Sequence, residues 1–206
     1  MDINDVLQVL FRWIHFLAGI TWIGLLYFFN LINAHVTAAL QPPTRREVVP
    51  QLMPRALWWF RWGAMFTFLS GLLLLLWKYF VVPDSGGFSA LFGSISGLWI
   101  TLGALLGTIM WFNVWFIIWP AQQNLITWTK ESQTPPEQPA VAKRALYASR
   151  TNTFLSVPML FGMLAGAGHY PVPFNLLWLI VILGLGFGLA YYMIFKFAPG
   201  VAKTWP

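Results

Sequence analysis

The sequence contains no cysteine. That excludes disulfides, iron–sulfur clusters, thiolate-ligated zinc and covalently attached c-type haem. Charge is nearly as scarce: 9% of the 206 residues are charged, against about 25% in an ordinary soluble domain. Six residues are acidic and none lies inside a long apolar run. This weighs against a transporter coupled to protons or cations through buried carboxylates. Walker A, dinucleotide-binding glycine and HExxH patterns are also missing. No small-residue cleavage site follows the first apolar run, which therefore reads as a retained helix rather than a signal peptide.

Apolar and aromatic side chains fill the space instead. The chain is 58% hydrophobic and 18% aromatic, with 13 tryptophans, the composition of an integral membrane protein. Five continuous apolar runs, roughly residues 6–33, 57–82, 96–119, 151–168 and 174–198, meet or approach the ~20 helical residues that cross a hydrocarbon core. The fourth is the shortest and contains Pro158. Runs this continuous specify helices, not the alternating strands of a membrane barrel. The expected fold is all-α: one transmembrane helical domain over residues 1–206, with about five transmembrane helices.

The net charge of +6 lies in short connections, not in a nucleic-acid-binding patch. Arg45, Arg46 and Arg55 fall between the first two runs, and Lys130, Lys143, Arg144 and Arg150 between the third and fourth. Lys196 and Lys203 mark the C-terminus, whereas Asp2, Asp5 and Asp84 belong to the opposite end, with Lys78 near its boundary. The positive-inside rule then places the N-terminus outside and the C-terminus in the cytoplasm, as in a bacterial inner membrane. The segments "QPPTRREVVP" and "ESQTPPEQPA" read as Pro-rich polar connectors. Gly103 and Gly107, and Gly162 and Gly166, have GxxxG spacing, and Gly184, Gly186 and Gly188 thin the last run; such residues let helices approach closely or make room for a flat ligand, and the first is the commoner case.

Against this background "RWIHFLAGITWIG" (12–24) is unusual, because Arg12 and His15 are costly in lipid. The chain's histidines are His15, His35 and His169. His35 falls at the cytoplasmic interface. His15 and His169 are both expected toward the outer leaflet, on different helices. Two such imidazoles suit axial ligation of haem b in an apolar cleft. Gly19 and Trp22 share the His15 face, where a glycine leaves room for a macrocycle and a tryptophan walls it. Arg12, on the same face, could pair with a propionate. The plainer reading has His15 hydrogen-bonded to another helix and Arg12 snorkelling to the interface. Arg61 reads as a snorkelling residue, and Asn113 and Asn152 as interhelical hydrogen-bond donors.

Together with "WFRWGAMFTFLSG" (59–71), "GALLGTIMWFNVWFIIWPAQQ" (103–123) and "NTFLSVPMLFGMLAGAGHYP" (152–171), this stretch resembles the membrane-bound urate hydroxylase (urate oxidase N-terminal) family. That family is distantly similar to the haem-binding membrane protoporphyrinogen oxidases. The resemblance implies a membrane oxidoreductase, binding haem and passing electrons toward a cytochrome c. It gives His15 and His169 candidate ligand roles, matches Asn152 and Pro158 directly, and puts Arg61 where the family usually has lysine. The chain departs from the family pattern at Trp58 and Thr151, where the pattern has histidines, and at Gly63, where it has glutamate. It reads as a short form without the cytochrome c domain. Two expectations result: a haem-b-binding electron-transfer subunit served by a separate cytochrome c, or a cofactor-free accessory subunit of a larger respiratory or photosynthetic complex.

Overall fold

The computed structural model describes residues 2–201; Lys203, counted above among the basic C-terminal residues, lies outside them. Five long helices dominate: α1 (Ile3–Ala39), α2 (Pro42–Val81), α4 (Ile95–Lys130), α5 (Gln138–Gly166) and α6 (Leu176–Val201), with a short α3 (Gly87–Gly93) between α2 and α4. Among the described residues there is no strand. Local signals set several of the ends. The Ser94 hydroxyl caps α4 by accepting from the Gly97 N–H at 3.0 Å, and the Asn175 side chain accepts from the Trp178 N–H at 3.0 Å to start α6. The chain leaves α5 through Gly168 at φ +85°, the left-handed conformation that a residue just past a helix end adopts and that glycine takes without strain.

The helices run well past the apolar runs, chiefly at the end where the basic residues lie. The segment 41–50, expected as a connector, is mostly the first turns of α2. Pro42 and Pro43 occupy first-turn positions, where no intrahelical N–H is needed. Pro50 deprives the Arg46 carbonyl of its donor, but Arg46 is exposed and water can serve it.

Consecutive long helices pack antiparallel. His15 and Trp22 of α1 meet Gly71 and Gly63 of α2. Phe68 of α2 stacks on Trp111 of α4 at 4.3 Å, and Gly103 of α4 meets Gly162 of α5. Pro158 of α5 sits against Gly186 of α6. The main core, built from Trp22, Leu26, Leu57, Phe60, Met110, Val114 and Met159 among others, joins α1, α2, α4 and α5. Three of the four paired glycines do what their spacing implies: Gly103, Gly162 and Gly166 each leave no room for a Cβ without pressing on the facing backbone, whereas Gly107 has only the Met159 side chain at 4.0 Å. Gly184 and Gly188 face open space instead.

Four of these helices, α1, α2, α4 and α6, are long and apolar enough to cross a membrane. Helix α5 is not in that set, yet it is the most enclosed: Asn152, Thr153 and Ser156 are fully buried along it. Much of its surface meets helices, so small and polar side chains replace large apolar ones there, while Leu160 and Leu164 stay exposed. Around the outside, Phe16, Ile20, Leu176 and Leu185 are each about two-thirds exposed or more. Apolar faces this extensive belong against lipid, and the protein is an integral membrane protein.

Tryptophans mark both edges of that band. Trp59 and Trp77 on α2 are 18 residues apart, as are Trp178 and Lys196 on α6. That spacing spans ~27 Å of helix, close to a hydrocarbon thickness of ~30 Å.

Candidate functional site

Helix α2 fills the face of α1 that carries His15. Nδ1 of His15 lies 2.9 Å from the Thr67 carbonyl oxygen and 3.3 Å from the Ser70 hydroxyl. The ring lies flush against Gly71, where an added Cβ would come within 2.8 Å of Cε1. Gly19 faces the Thr67 side chain, and Trp22 is 2% exposed, its backbone nitrogen 3.1 Å from the Cβ position of Gly63. The small residues therefore bring two helices together; the space imagined for a macrocycle is occupied by α2. Gly63 cannot accept the glutamate of the family pattern without displacing α1.

His169 lies elsewhere. It is exposed in the turn after α5, in a connection tied down by the Trp99 indole N–H donating to the Val172 carbonyl at 2.9 Å. The Tyr27–Ser156 and Asn30–Ser149 hydrogen bonds between antiparallel α1 and α5 put His15 level with the last turn of α5, so both imidazoles lie toward the same end of the bundle. Among the described residues no hydrogen bond or ring contact joins the two: His15 packs against α2, whereas His169 is exposed in the turn. Arg12 is exposed and donates to Gln8 at 3.3 Å. The room that the sequence offered haem beside Gly19 is taken by Thr67 of α2. Among the described residues no cluster of three or more His, Cys, Asp or Glu could hold a metal.

The two asparagines do form an interhelical bridge. Asn113 donates to the Asn152 side-chain oxygen at 2.8 Å and Asn152 to the Met110 carbonyl at 2.9 Å. Nearby, Tyr27 and Ser156 share a hydroxyl hydrogen bond of 3.0 Å, and Asn30 donates to Ser149 at 2.8 Å, tying α1 to α5. Two departures from the family pattern, Trp58 and Thr151, are exposed on the outside of the bundle.

The concave feature with the richest chemistry lies at the basic end. A cavity of about 510 Å³ opens where α1, α2, α4 and α5 emerge from the apolar band, lined by Asn30, Asn33, Arg45, Gln122, Gln138 and Ser149 over an apolar floor that includes Phe29, Met53, Leu57 and Ile118. Its size falls within the ~300–1,000 Å³ of ordinary small-molecule sites. No carboxylate lines it. Asn33 is held by Thr37, which donates to its side-chain oxygen at 3.3 Å. Among the described residues, no hydrogen bond engages the side chains of Arg45, Gln122 or Gln138. A guanidinium and two free amides above an apolar floor suit a flat, acceptor-rich anion.

Sequence reasoning did not select these residues. Their signal is the cluster of amides just beyond the apolar runs, in "FFNLINAH" and "PAQQN". That signal acquires meaning only when the helices are known to continue past the lipid. A more open depression of about 550 Å³ lies between α4 and α5, with Asn113, Lys143, Arg144, Tyr147 and Thr151 in its lining.

Comparison with curated proteins and with solved structures finds no match. The family model described as "Urate oxidase N-terminal" matches residues 40–86 and 87–204, most of the chain. The "RWIHFLAGITWIG" stretch precedes the matched residues, whereas the other three motifs lie within them. On that match, the chain belongs to the urate oxidase N-terminal family.

Proposed function

We propose that this urate-hydroxylase-related membrane protein binds a small, planar, acceptor-rich anion of the urate class in the cavity at its basic end. The observation that carries this reading is the cavity lining: Arg45, Gln122 and Gln138 present unengaged donors, no carboxylate opposes an anion, and the floor is apolar. Urate is flat, negatively charged at neutral pH, and edged with carbonyl oxygens and ring N–H groups. Amide side chains can donate to the former and accept from the latter, while a guanidinium answers the charge. The family supplies the substrate class; the cavity supplies a place of suitable size and chemistry. Haem-mediated electron transfer through His15 and His169 plays no part in this reading. A separate cytochrome c would act outside this chain.

The test is calorimetric titration of urate into the protein in lipid nanodiscs, with xanthine and inorganic phosphate as comparators. Urate is expected to bind, and Arg45→Gln to weaken it about tenfold, the loss of one charge-assisted contact. His15→Ala is expected to leave urate affinity unchanged, because it lies outside the cavity lining. No urate binding by the folded protein would defeat the proposal and favour the accessory-subunit reading.

A further inference from the structure

Arg61 is a cation without an anion. Its guanidinium carbon lies 4.0 Å from the Trp119 ring centroid, 4.9 Å from Trp115 and 5.6 Å from Trp62. Its Nε is buried with no hydrogen-bond partner, and among the described residues no carboxylate pairs with it. Cation–π contacts offset part of the cost of this position. They act on the faces of a guanidinium, however, and leave unsatisfied the N–H edge that normally grips a carboxylate or phosphate.

The depth of Arg61 in the bundle identifies the anion. Trp58 and Trp59 are 47% and 60% exposed just before it on α2, and Trp62 meets Trp115 of α4 edge-on at 5.7 Å. Tryptophans concentrated in this way mark the headgroup level of a bilayer. The opposite belt, at Trp77, is 16 residues from Arg61, or ~24 Å of helix, so Arg61 lies just inside the boundary on the basic side. The anion that lines a protein at this level is the phosphate of a phospholipid. Arg55, exposed one to two turns farther out and bonded to the Gln51 carbonyl at 2.5 Å, adds positive charge to the same end of α2. That second charge favours a lipid with net negative charge over a zwitterionic one.

We infer that Arg61, framed by Trp62, Trp115 and Trp119, is a binding site for the phosphate of an anionic phospholipid at the basic face of the membrane. The lipid phosphate takes the terminal N–H groups of the guanidinium, and the three indoles flank it. The site is separate from the cavity described above, whose lining contains none of these four residues.

The experiment compares retention of phosphatidylglycerol and phosphatidylcholine by the intact protein, using native mass spectrometry of detergent-solubilised samples with inorganic phosphate as a third probe. The wild-type protein is expected to retain phosphatidylglycerol selectively. Arg61→Gln is expected to bind it about tenfold more weakly, as the loss of one charge-assisted contact implies. Should Arg61→Gln fail to fold, Arg61→Lys keeps the charge but loses the planar fork, and is expected to show a clear fall in retention. Equal retention of both lipids, or retention unchanged in the folded variants, would overturn the inference. Equally tight binding of inorganic phosphate without lipid would also overturn it, by assigning a soluble anion to the site.

Discussion

Asn113 on α4 and Asn152 on α5 are both buried, and the amide of the first donates to the side-chain oxygen of the second at 2.8 Å. Asn152 then donates to the Met110 carbonyl at 2.9 Å, so one side chain reads two positions of the facing helix. Such a bridge fixes rotation and register between helices that apolar packing alone would hold less specifically. The register matters because the same helices deliver Gln122 and Gln138 to the cavity at the basic end.

Replacing Asn152 with leucine is therefore expected to destabilise the protein by about 1–3 kcal/mol, since the Asn113 amide is left buried and unpaired. The double variant Asn113→Leu/Asn152→Leu should cost less than the sum of the two single changes, because no orphan donor remains. Thermal unfolding in detergent, followed by circular dichroism, measures both. Additive effects would mean that the two amides do not depend on each other.

The glycines separate into those that bear contact and those that do not. A Cβ on Gly166 would fall 2.8 Å from the Ile100 backbone nitrogen, and one on Gly162 3.0 Å from the Trp99 carbonyl oxygen. Gly166→Ala is expected to cost about 1–3 kcal/mol, as overpacking between rigid backbones does. Gly184→Ala and Gly188→Ala meet nothing within 4 Å and should be neutral or slightly stabilising. The same unfolding measurement distinguishes them, and a costly Gly184→Ala would show that this face of α6 is covered in the native membrane.

These features differ in how legible they were. Helix identity follows from continuous apolar runs, and the Gly103–Gly162 contact follows from paired GxxxG spacings, because both are local patterns with one physical solution. The bridging roles of Asn113 and Asn152 were readable for a similar reason: a polar side chain at membrane depth needs a partner. Hydropathy reports where lipid is, not where a helix stops, so the extension of α2 back to Pro42 was hidden. The cavity residues were hidden with it. His15 was legible only in part. Its burial in lipid signalled a partner, but an imidazole can meet a carbonyl as well as an iron, and its spacing from Gly19 suits a helix contact as well as a ring. The Nδ1 contact with the Thr67 carbonyl accounts for one ring nitrogen and leaves Nε2 outside this helix pairing.

That contact makes His15 a helix-pairing residue with a testable signature. Gly71→Ala puts a methyl against Cε1 and is expected to cost about 1–3 kcal/mol. The added change His15→Ala should recover part of that loss by vacating the space, a non-additivity that marks direct contact. Absorption spectra of the oxidised and dithionite-reduced protein provide the contrary outcome. A sharp reduced band that disappears in His15→Ala would assign the imidazole to iron and remove it from this packing role.

The wild-type chain has no cysteine, so a single introduced thiol reports its own side of the membrane. Tyr170 is 60% exposed between α5 and α6, and Gln133 is exposed between α4 and α5. The basic end carries Arg45, Arg46, Lys130, Lys143 and Arg144, whereas Asp84 lies at the other. By the positive-inside rule this asymmetry predicts a cytoplasmic basic end. Tyr170→Cys is then expected to react with a membrane-impermeant maleimide in intact cells, and Gln133→Cys only after permeabilisation. The pair also examines α5, whose mixed composition comes from its central position. From Gln138 to Gly166 it is 29 residues long, ~43 Å of helix and enough to span the hydrocarbon. Labelling of both thiols from the same side would show that it does not cross; reversed labelling would invert the orientation and expose the cavity to the outside.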